Sequence, residues 1–206
     1  MKYRILALGI STLSLGVASC ASVDEISAEY QKTALAKYSE LDVGHFTETM
    51  TVKDDDLETE AVFTTKLGSR PNASSDPYLS LISNKNDEFM RAIVSKSDGS
   101  ITYQMYFSLE SSDWRNPYQI NFGEPLGSKK VTRIGIDANC TSGGCANYED
   151  ALVTLSPAEL DAMIAHLERK SQPLLRFRVK SQSGRDYDSA ISLGELQAIK
   201  SMAAGY

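Results

Sequence analysis

Residues 89–109 read FMRAIVSKSDGSITYQMYFSL, and this stretch decides the fold class. After the pair Asp98-Gly99, every second residue is apolar: Ile101, Tyr103, Met105, Phe107 and Leu109. Strand geometry places such residues on one face. Asp-Gly favours a two-residue turn because both residues tolerate positive φ. The stretch therefore predicts an antiparallel hairpin with one face on a core, although an aromatic stripe of this kind can also bind a cofactor.

Other strand patterns lie on both sides of this hairpin. They are HFTETMTVK (45–53), LETEAVFTTK (57–66), KKVTRIGID (129–137), NYEDALVTL (147–155) and PLLRFRVKS (173–181). Each is rich in β-branched or alternating apolar residues and is bounded by turn-forming residues, which is typical of strands. From Phe46 onward, the chain is therefore predicted to be mainly strand.

The clearest helical patterns appear near the end of the chain. Ser156-Pro157-Ala158-Glu159 and Ser192-Leu193-Gly194-Glu195 both have the spacing of a capping box, in which a Ser and a Glu satisfy each other's backbone N–H groups. Many strands followed by two helices predict an α+β fold. We expect an antiparallel sheet of about six to eight strands, with the two C-terminal helices packed on one face, in a single domain of residues 45–206.

The N-terminal residues have the pattern of a secretory signal. Lys2 and Arg4 precede an apolar stretch of residues 5–17, which is shorter than the roughly 20 residues that span a bilayer. Val17-Ala18-Ser19-Cys20 follows, and it resembles the lipobox of bacterial lipoproteins. The resemblance implies removal of residues 1–19, lipid on Cys20, and anchoring in the outer membrane because Ala21 is not Asp. An N-terminal core helix or a membrane anchor is the alternative.

The charge balance limits the partners. Without residues 1–19, 19 Lys+Arg face 27 Asp+Glu, which gives a formal charge of −8. An acidic chain lacks the basic face that nucleic acid requires, so we expect no nucleic acid partner. The lipid on Cys20 would have to hold the chain at the membrane, through residues 20–44 acting as a lipidated tether or a short helix.

Two cysteines remain after Cys20. Cys140 and Cys145 lie in CTSGGC, and in an oxidising compartment such a pair is expected to form a disulfide. Redox catalysis favours two intervening residues, and a metal site needs further ligands nearby. A structural disulfide therefore fits the spacing best.

Recognisable catalytic and cofactor motifs are absent from the sequence, so we expect no enzyme activity, no cofactor and no metal. His166 flanks the apolar stripe of its predicted helix, and we expect a partly exposed surface histidine there. His45 has no recognisable partner. A hydrolase that acts on envelope polymers remains the alternative, because catalytic triads assemble from distant residues.

Two candidate binding surfaces remain. Trp114, Arg115 and Tyr118 lie in a long loop, where aromatic and polar groups suit a sugar ligand. Arg176, Arg178 and Lys180 alternate with apolar residues, so a strand would place three cations on one face. That face either meets acidic residues on a neighbouring strand or binds an anionic envelope component.

The segment from Cys140 to Ile199 also resembles the invasion-associated locus B type of periplasmic β-rich protein. The resemblance is carried by the C-x3-G-C turn, a capped helix, a strand, a Gly turn and an ISLGEL helix start. No residue role is transferred from it. Together, these features predict an outer-membrane lipoprotein whose domain lies in the periplasm and acts as a non-enzymatic binding or accessory module of the cell envelope.

Overall fold

The computed structural model describes residues 32–33, 35–66, 86–141 and 144–206. The predicted signal peptide, the lipidation site Cys20 and most of the predicted tether lie outside these residues. Residues 35–39 are helical, and three further helices follow: α1 (Val43–Thr49), α2 (Pro157–Lys170) and α3 (Leu193–Ala204). Within the described residues, no helix has the length and apolar character needed to cross a membrane.

Ten strands form two antiparallel sheets. The strands are β1 (Thr51–Lys53), β2 (Glu60–Thr64), β3 (Asn86–Ser95), β4 (Ile101–Ser111), β5 (Pro117–Gly123), β6 (Gly127–Lys130), β7 (Thr132–Thr141), β8 (Gly144–Leu155), β9 (Leu174–Ser181) and β10 (Tyr187–Ser192). The large sheet has the order β1-β2-β3-β4-β8-β7, and the small sheet has the order β10-β9-β5-β6. The α+β class and the antiparallel pairing are confirmed, while the strands divide between two sheets.

The hairpin of residues 89–109 forms, but its turn is longer than predicted. The apolar positions of β4 from Tyr103 to Leu109 are buried, as the alternation predicts. The Ser95 N–H donates to the Ser100 carbonyl, and the Gly99 N–H donates to the Ser95 carbonyl at 2.9 Å. Five residues, 96–100, therefore connect the strands, and the prediction of a two-residue turn was wrong. Gly99 has φ +69°, so the glycine still supplies the positive φ that closes the turn.

The region around Phe46 is helix rather than strand. The Asp42 carboxylate accepts from the His45 N–H and begins α1, in which Phe46 is completely buried. The predicted strand at 45–53 is therefore confined to β1. An N-cap and one buried aromatic residue outweigh the β propensity of three threonines here, because propensity is a weaker effect than tertiary packing.

One hydrophobic core joins both sheets and the last two helices. Buried residues of the large sheet contact those of the small sheet, of α2 (Leu160, Met163) and of α3 (Leu196, Ile199). Residues 35–39 and α1 pack separately on α3, where Tyr38 and Phe46 contact Ala198. Gly194 permits this approach, since a Cβ there would lie 2.7 Å from the Leu41 carbonyl oxygen.

The predicted disulfide is present. Cys140 and Cys145 are bonded across the tip of the β7–β8 hairpin, where they pair in register. The bond lies at an exposed end of the large sheet and closes only a short loop. Its position fits a structural clip on the hairpin.

Candidate functional site

The cationic face of β9 forms as the alternation predicts. Leu175, Phe177 and Val179 are buried in the core. Arg176 and Arg178 are exposed on the opposite face of the small sheet, and Lys180 is half-buried there. Strand β9 lies between β10 and β5, so the residues that flank this face come from those two strands.

Two of the three cations have acidic partners on or next to β10. Arg178 binds Asp188 through two hydrogen bonds, Nε to Oδ1 at 2.5 Å and Nη2 to Oδ2 at 2.7 Å. Lys180 pairs with Asp186. The hydrogen bonds from Arg178 and Lys180 lower the pKa of Asp188 and Asp186, respectively, below their usual values. Acidic residues on or next to the neighbouring strand, which was one of the two expectations for this face, are thus present for Arg178 and Lys180.

Arg176 differs from its two neighbours. Its partner position on β10 is Ala190, and it forms no ion pair within the described part of the chain. On the other side, β5 pairs with β9 only as far as Asn121 opposite Arg178. Residues 174–177 of β9 therefore pair with β10 alone. On their other side, where a neighbouring strand would continue, the edge of β9 is open.

A groove of about 1040 Å³ occupies this space. Its walls are the helical residues 35–39, the C-terminal end of α2, the end of β5 with the following turn, and the first half of β9. Four cationic side chains (Lys32, Lys170, Arg176 and Arg178) and two carboxylates (Glu124 and Asp188) line it. Since Arg178 and Asp188 neutralise each other, the groove keeps a positive balance in a chain whose formal charge is −6.

His166 also lines the groove, and it is only 8% exposed. The expectation of a partly exposed surface histidine was therefore wrong, because the end of α2 packs against β9 and the groove wall. Burial lowers the pKa of His166, and the nearby Lys170 and Arg169 lower it further. The neutral imidazole is thus favoured at pH 7.

Trp114 and Arg115 lie in the loop between β4 and β5, whereas Tyr118 lies on β5, so the prediction of a loop was wrong for Tyr118. A buried carboxylate holds the backbone of this loop. The carboxylate of Glu149, which is 0% exposed, accepts from the Arg115 N–H at 2.6 Å and the Asn116 N–H at 3.0 Å. The same carboxylate lies 3.6 Å from Arg133 Nη1. Asn116 has φ +52°, a conformation that Asn tolerates better than most residues. Glu149 thereby fixes the direction in which this loop leaves β4.

This loop lies at the C-terminal end of β9. The carbonyls of Arg115 and Asn116 accept from the N–H groups of Ser183 and Gln182, just beyond the strand. The Arg115 guanidinium lies over the Tyr187 ring, with 5.9 Å between its central carbon and the ring centroid. Trp114 and Tyr118 are 38% and 43% exposed. The structure thus brings Arg115, one residue of the first predicted surface, next to the C-terminal end of the cationic strand.

A second cavity, of about 560 Å³, lies where the two surfaces meet. Arg115, Arg178, Asp186, Tyr187 and Asp188 line it. Arg178 and Asp188 line both this cavity and the groove, so their ion pair separates two neighbouring spaces. Arg115 and Arg178 are far apart in sequence and share this cavity only through the tertiary fold.

A second buried carboxylate holds the wall of the groove. Glu195 is 0% exposed and accepts from the hydroxyls of Tyr38 and Thr65 and from the Met90 N–H at 2.8 Å. The Tyr38 hydroxyl accepts in turn from the Ser192 N–H at 3.2 Å. Burial and the Glu195 carboxylate raise the pKa of Tyr38 well above its usual value, so this tyrosine stays protonated. The bond fixes the helical residues 35–39 against α3.

His166 forms no hydrogen bond with a described serine or carboxylate, and His45 has its edge-to-face ring contact with Phe46. No group of three or more His, Cys, Asp or Glu side chains suited to a metal ion occurs among the residues described here. The arrangement can hold an anion through guanidinium and ammonium groups.

Sequence reasoning missed Glu149, Glu195, Tyr38 and Lys170. The sequence pattern could have indicated Glu149, because it lies on the same face of β8 as Ala151, Val153 and Leu155. A carboxylate on such an apolar face needs hydrogen-bond donors. Lys170 carried no such signal, since only the packing of α2 against β9 brings it to the groove.

Comparison of the chain with protein-family models, with curated proteins and with solved structures finds no match. The resemblances to bacterial lipoproteins and to the invasion-associated locus B type therefore remain predictions. Function must be argued from the geometry of the groove.

Proposed function

We propose that this chain is a lipid-anchored, non-enzymatic binding module of the bacterial cell envelope. Lipid on Cys20 holds it at the outer membrane, its domain lies in the periplasm, and its groove binds an anionic envelope component. Lys170 and Arg176 support the choice of an anion: both line the groove, and neither has an acidic partner within the described residues. On a chain with a net negative charge, two cations without a described acidic partner create a local positive charge that can attract an anion.

Binding of polygalacturonate and of linear polyphosphate to the full chain with Cys20→Ser tests the groove. We expect binding at low ionic strength that weakens steeply with salt, because exposed charges are screened over about 8 Å at physiological ionic strength. Arg176→Ser should weaken it. Lys200→Ser is the matched control, since Lys200 is also exposed but pairs with Asp161 outside the groove. Equal binding by both variants would refute the groove as the anion site.

The anchor is tested separately. Cys20→Ser should abolish metabolic labelling of the chain with a fatty acid, because the thiol is the proposed attachment point. Labelling that persists in this variant would rule out lipid on Cys20. The groove proposal does not depend on that result.

Hydrolysis of an envelope polymer is the alternative function, and His166 is a candidate base in the groove. Its lowered pKa suits a base near neutral pH, but it forms no hydrogen bond with a described serine. We expect incubation with peptidoglycan to give the same result for the unsubstituted chain and for His166→Gln, with no product that depends on His166. Release that depends on His166 would favour the enzyme.

A further inference from the structure

We propose that the ligand is an extended acidic polysaccharide that binds two subsites, one at Arg176 in the groove and one at Arg115 in the second cavity. This inference rests on the proposed function and adds the second subsite and the ligand class. The central observation is that the Arg178–Asp188 ion pair lies between two arginines that have no acidic partner among the described residues.

Arg115 has the features of a subsite for an anionic group. Its Nε is buried and forms no hydrogen bond, and its side chain has no carboxylate partner in the described chain. Nearby cations differ from it: Arg185 pairs with Asp113 at 2.7 Å, and Arg178 pairs with Asp188. A buried guanidinium nitrogen without an acceptor is unfavourable, so a ligand oxygen at this point would satisfy it.

The protein holds Arg115 in place before any ligand arrives. Glu149 fixes its N–H, Ser183 donates to its carbonyl, and the Tyr187 ring supports the guanidinium. Such preorganisation lowers the conformational entropy that is lost when a ligand binds. The carboxylates that line the cavity, Asp186 and Asp188, are already bound to Lys180 and Arg178.

The two subsites require a long ligand. Arg176 and Arg178 are two residues apart on β9, which separates their Cα atoms by about 6.6–6.8 Å. Arg115 lies beyond Arg178, because its carbonyl bonds with Ser183 past the end of the strand. A ligand that reaches both arginines must therefore extend farther than this strand repeat and carry at least two negative charges.

Polar and aromatic groups near the arginines favour a polysaccharide. Gln119 and Asn121 lie opposite Lys180 and Arg178 in register. The Gln119 amide donates to the Asn121 side-chain oxygen at 2.6 Å, and the remaining groups of both amides can bond with hydroxyl groups. Trp114 directly precedes Arg115 in sequence, and Trp114 and Tyr118 are both partly exposed. Amides, aromatic rings and arginines together match the hydroxyls, ring faces and carboxylates of a uronic acid chain.

Galacturonate, which has one carboxylate, and octagalacturonate serve as probes for the full chain with Cys20→Ser. If one ligand spans both subsites, octagalacturonate should bind at least about a hundredfold more tightly than galacturonate, since the second contact becomes intramolecular. Arg115→Gln and Arg176→Gln should each weaken the octamer by about tenfold and reduce this ratio, while Lys200→Gln should leave both unchanged.

The outcomes separate the two proposals. If Arg176→Gln weakens the octamer and Arg115→Gln does not, the bridging proposal fails while the anion groove stands. If neither variant has an effect, both proposals fail. Vesicles of phosphatidylglycerol form the second arm: binding to these vesicles that requires Arg115, without binding to the octamer, would replace the polysaccharide with a lipid surface and overturn the inference. A circular dichroism spectrum like that of the unsubstituted protein confirms that each variant is folded.

Discussion

Glu195 and Glu149 are both completely buried carboxylates, and each holds a segment that borders the proposed ligand face. Glu195 holds the helical residues 35–39 through Tyr38, and Glu149 holds the Arg115 loop through two backbone N–H groups. The donors differ. The hydroxyls of Tyr38 and Thr65 and the Met90 N–H bind Glu195, whereas the Arg133 guanidinium also approaches Glu149. Preorganised dipoles can therefore stabilise a buried charge as a neighbouring cation does.

Removal of Glu195 should have the largest effect on stability. Glu195→Ala leaves the Tyr38 and Thr65 hydroxyls without their acceptor, and we expect a loss of roughly 3–5 kcal/mol in the free energy of unfolding. Urea denaturation measures it. Glu159→Ala is the matched control, because Glu159 has the same position in the first turn of α2 but its side chain is 42% exposed. A similar loss in both variants would show that Glu195 acts only as a helix cap.

Tyr38→Phe sharpens the comparison, because it removes one donor and leaves the Glu195 charge. We expect a loss of about 2 kcal/mol at pH 7. Since the pKa of Tyr38 is raised in the folded chain, its contribution is fully present below about pH 10 and is lost as the pH rises above that value. The stability difference between wild type and variant should therefore shrink above pH 10. A constant difference up to pH 11.5 would contradict the protonated tyrosine.

Glu149→Gln tests whether the second carboxylate serves the ligand face more than stability. An amide offers one oxygen to the two N–H groups of Arg115 and Asn116, so we expect a stability loss of about 2 kcal/mol. Binding of octagalacturonate should weaken as it does in Arg115→Gln, and binding of galacturonate should be kept. Unchanged binding of the octamer would separate Glu149 from the second subsite.

The disulfide should matter least, because it lies at the exposed tip of the β7–β8 hairpin and borders neither cavity. Replacement of Cys140 and Cys145 by Ser should cost about 1–2 kcal/mol and leave binding unchanged. Alkylation of the native protein without reductant should modify neither thiol. Two reactive thiols in that assay would refute the bond.

Much of the fold could be predicted from the sequence. Alternation in β4 and β9 predicted which side chains are buried, since strand geometry fixes the face of each residue. The division into two sheets could not be predicted, because it depends on where β5 and β7 find partners. The sequence predicted Arg176, Arg178 and Lys180 in one row and left open whether acidic residues pair with them. Pairing with Asp188 and Asp186 leaves only Arg176 of the three without a described acidic partner.

Two similar motifs separate what the sequence determined from what the tertiary structure decided. Ser156 and Glu159 form the full capping box, in which the Ser156 N–H donates to the Glu159 carboxylate at 2.8 Å. Ser192 and Glu195 have the same spacing, and the Ser192 hydroxyl accepts from the Glu195 N–H at 3.0 Å. There the Glu195 carboxylate turns to Tyr38, Thr65 and Met90, and the Ser192 N–H turns to Tyr38. Local spacing determines where a helix begins, because the cap involves only four residues. Burial by distant segments decides what the carboxylate binds, because a buried charge takes the donors that its surroundings supply.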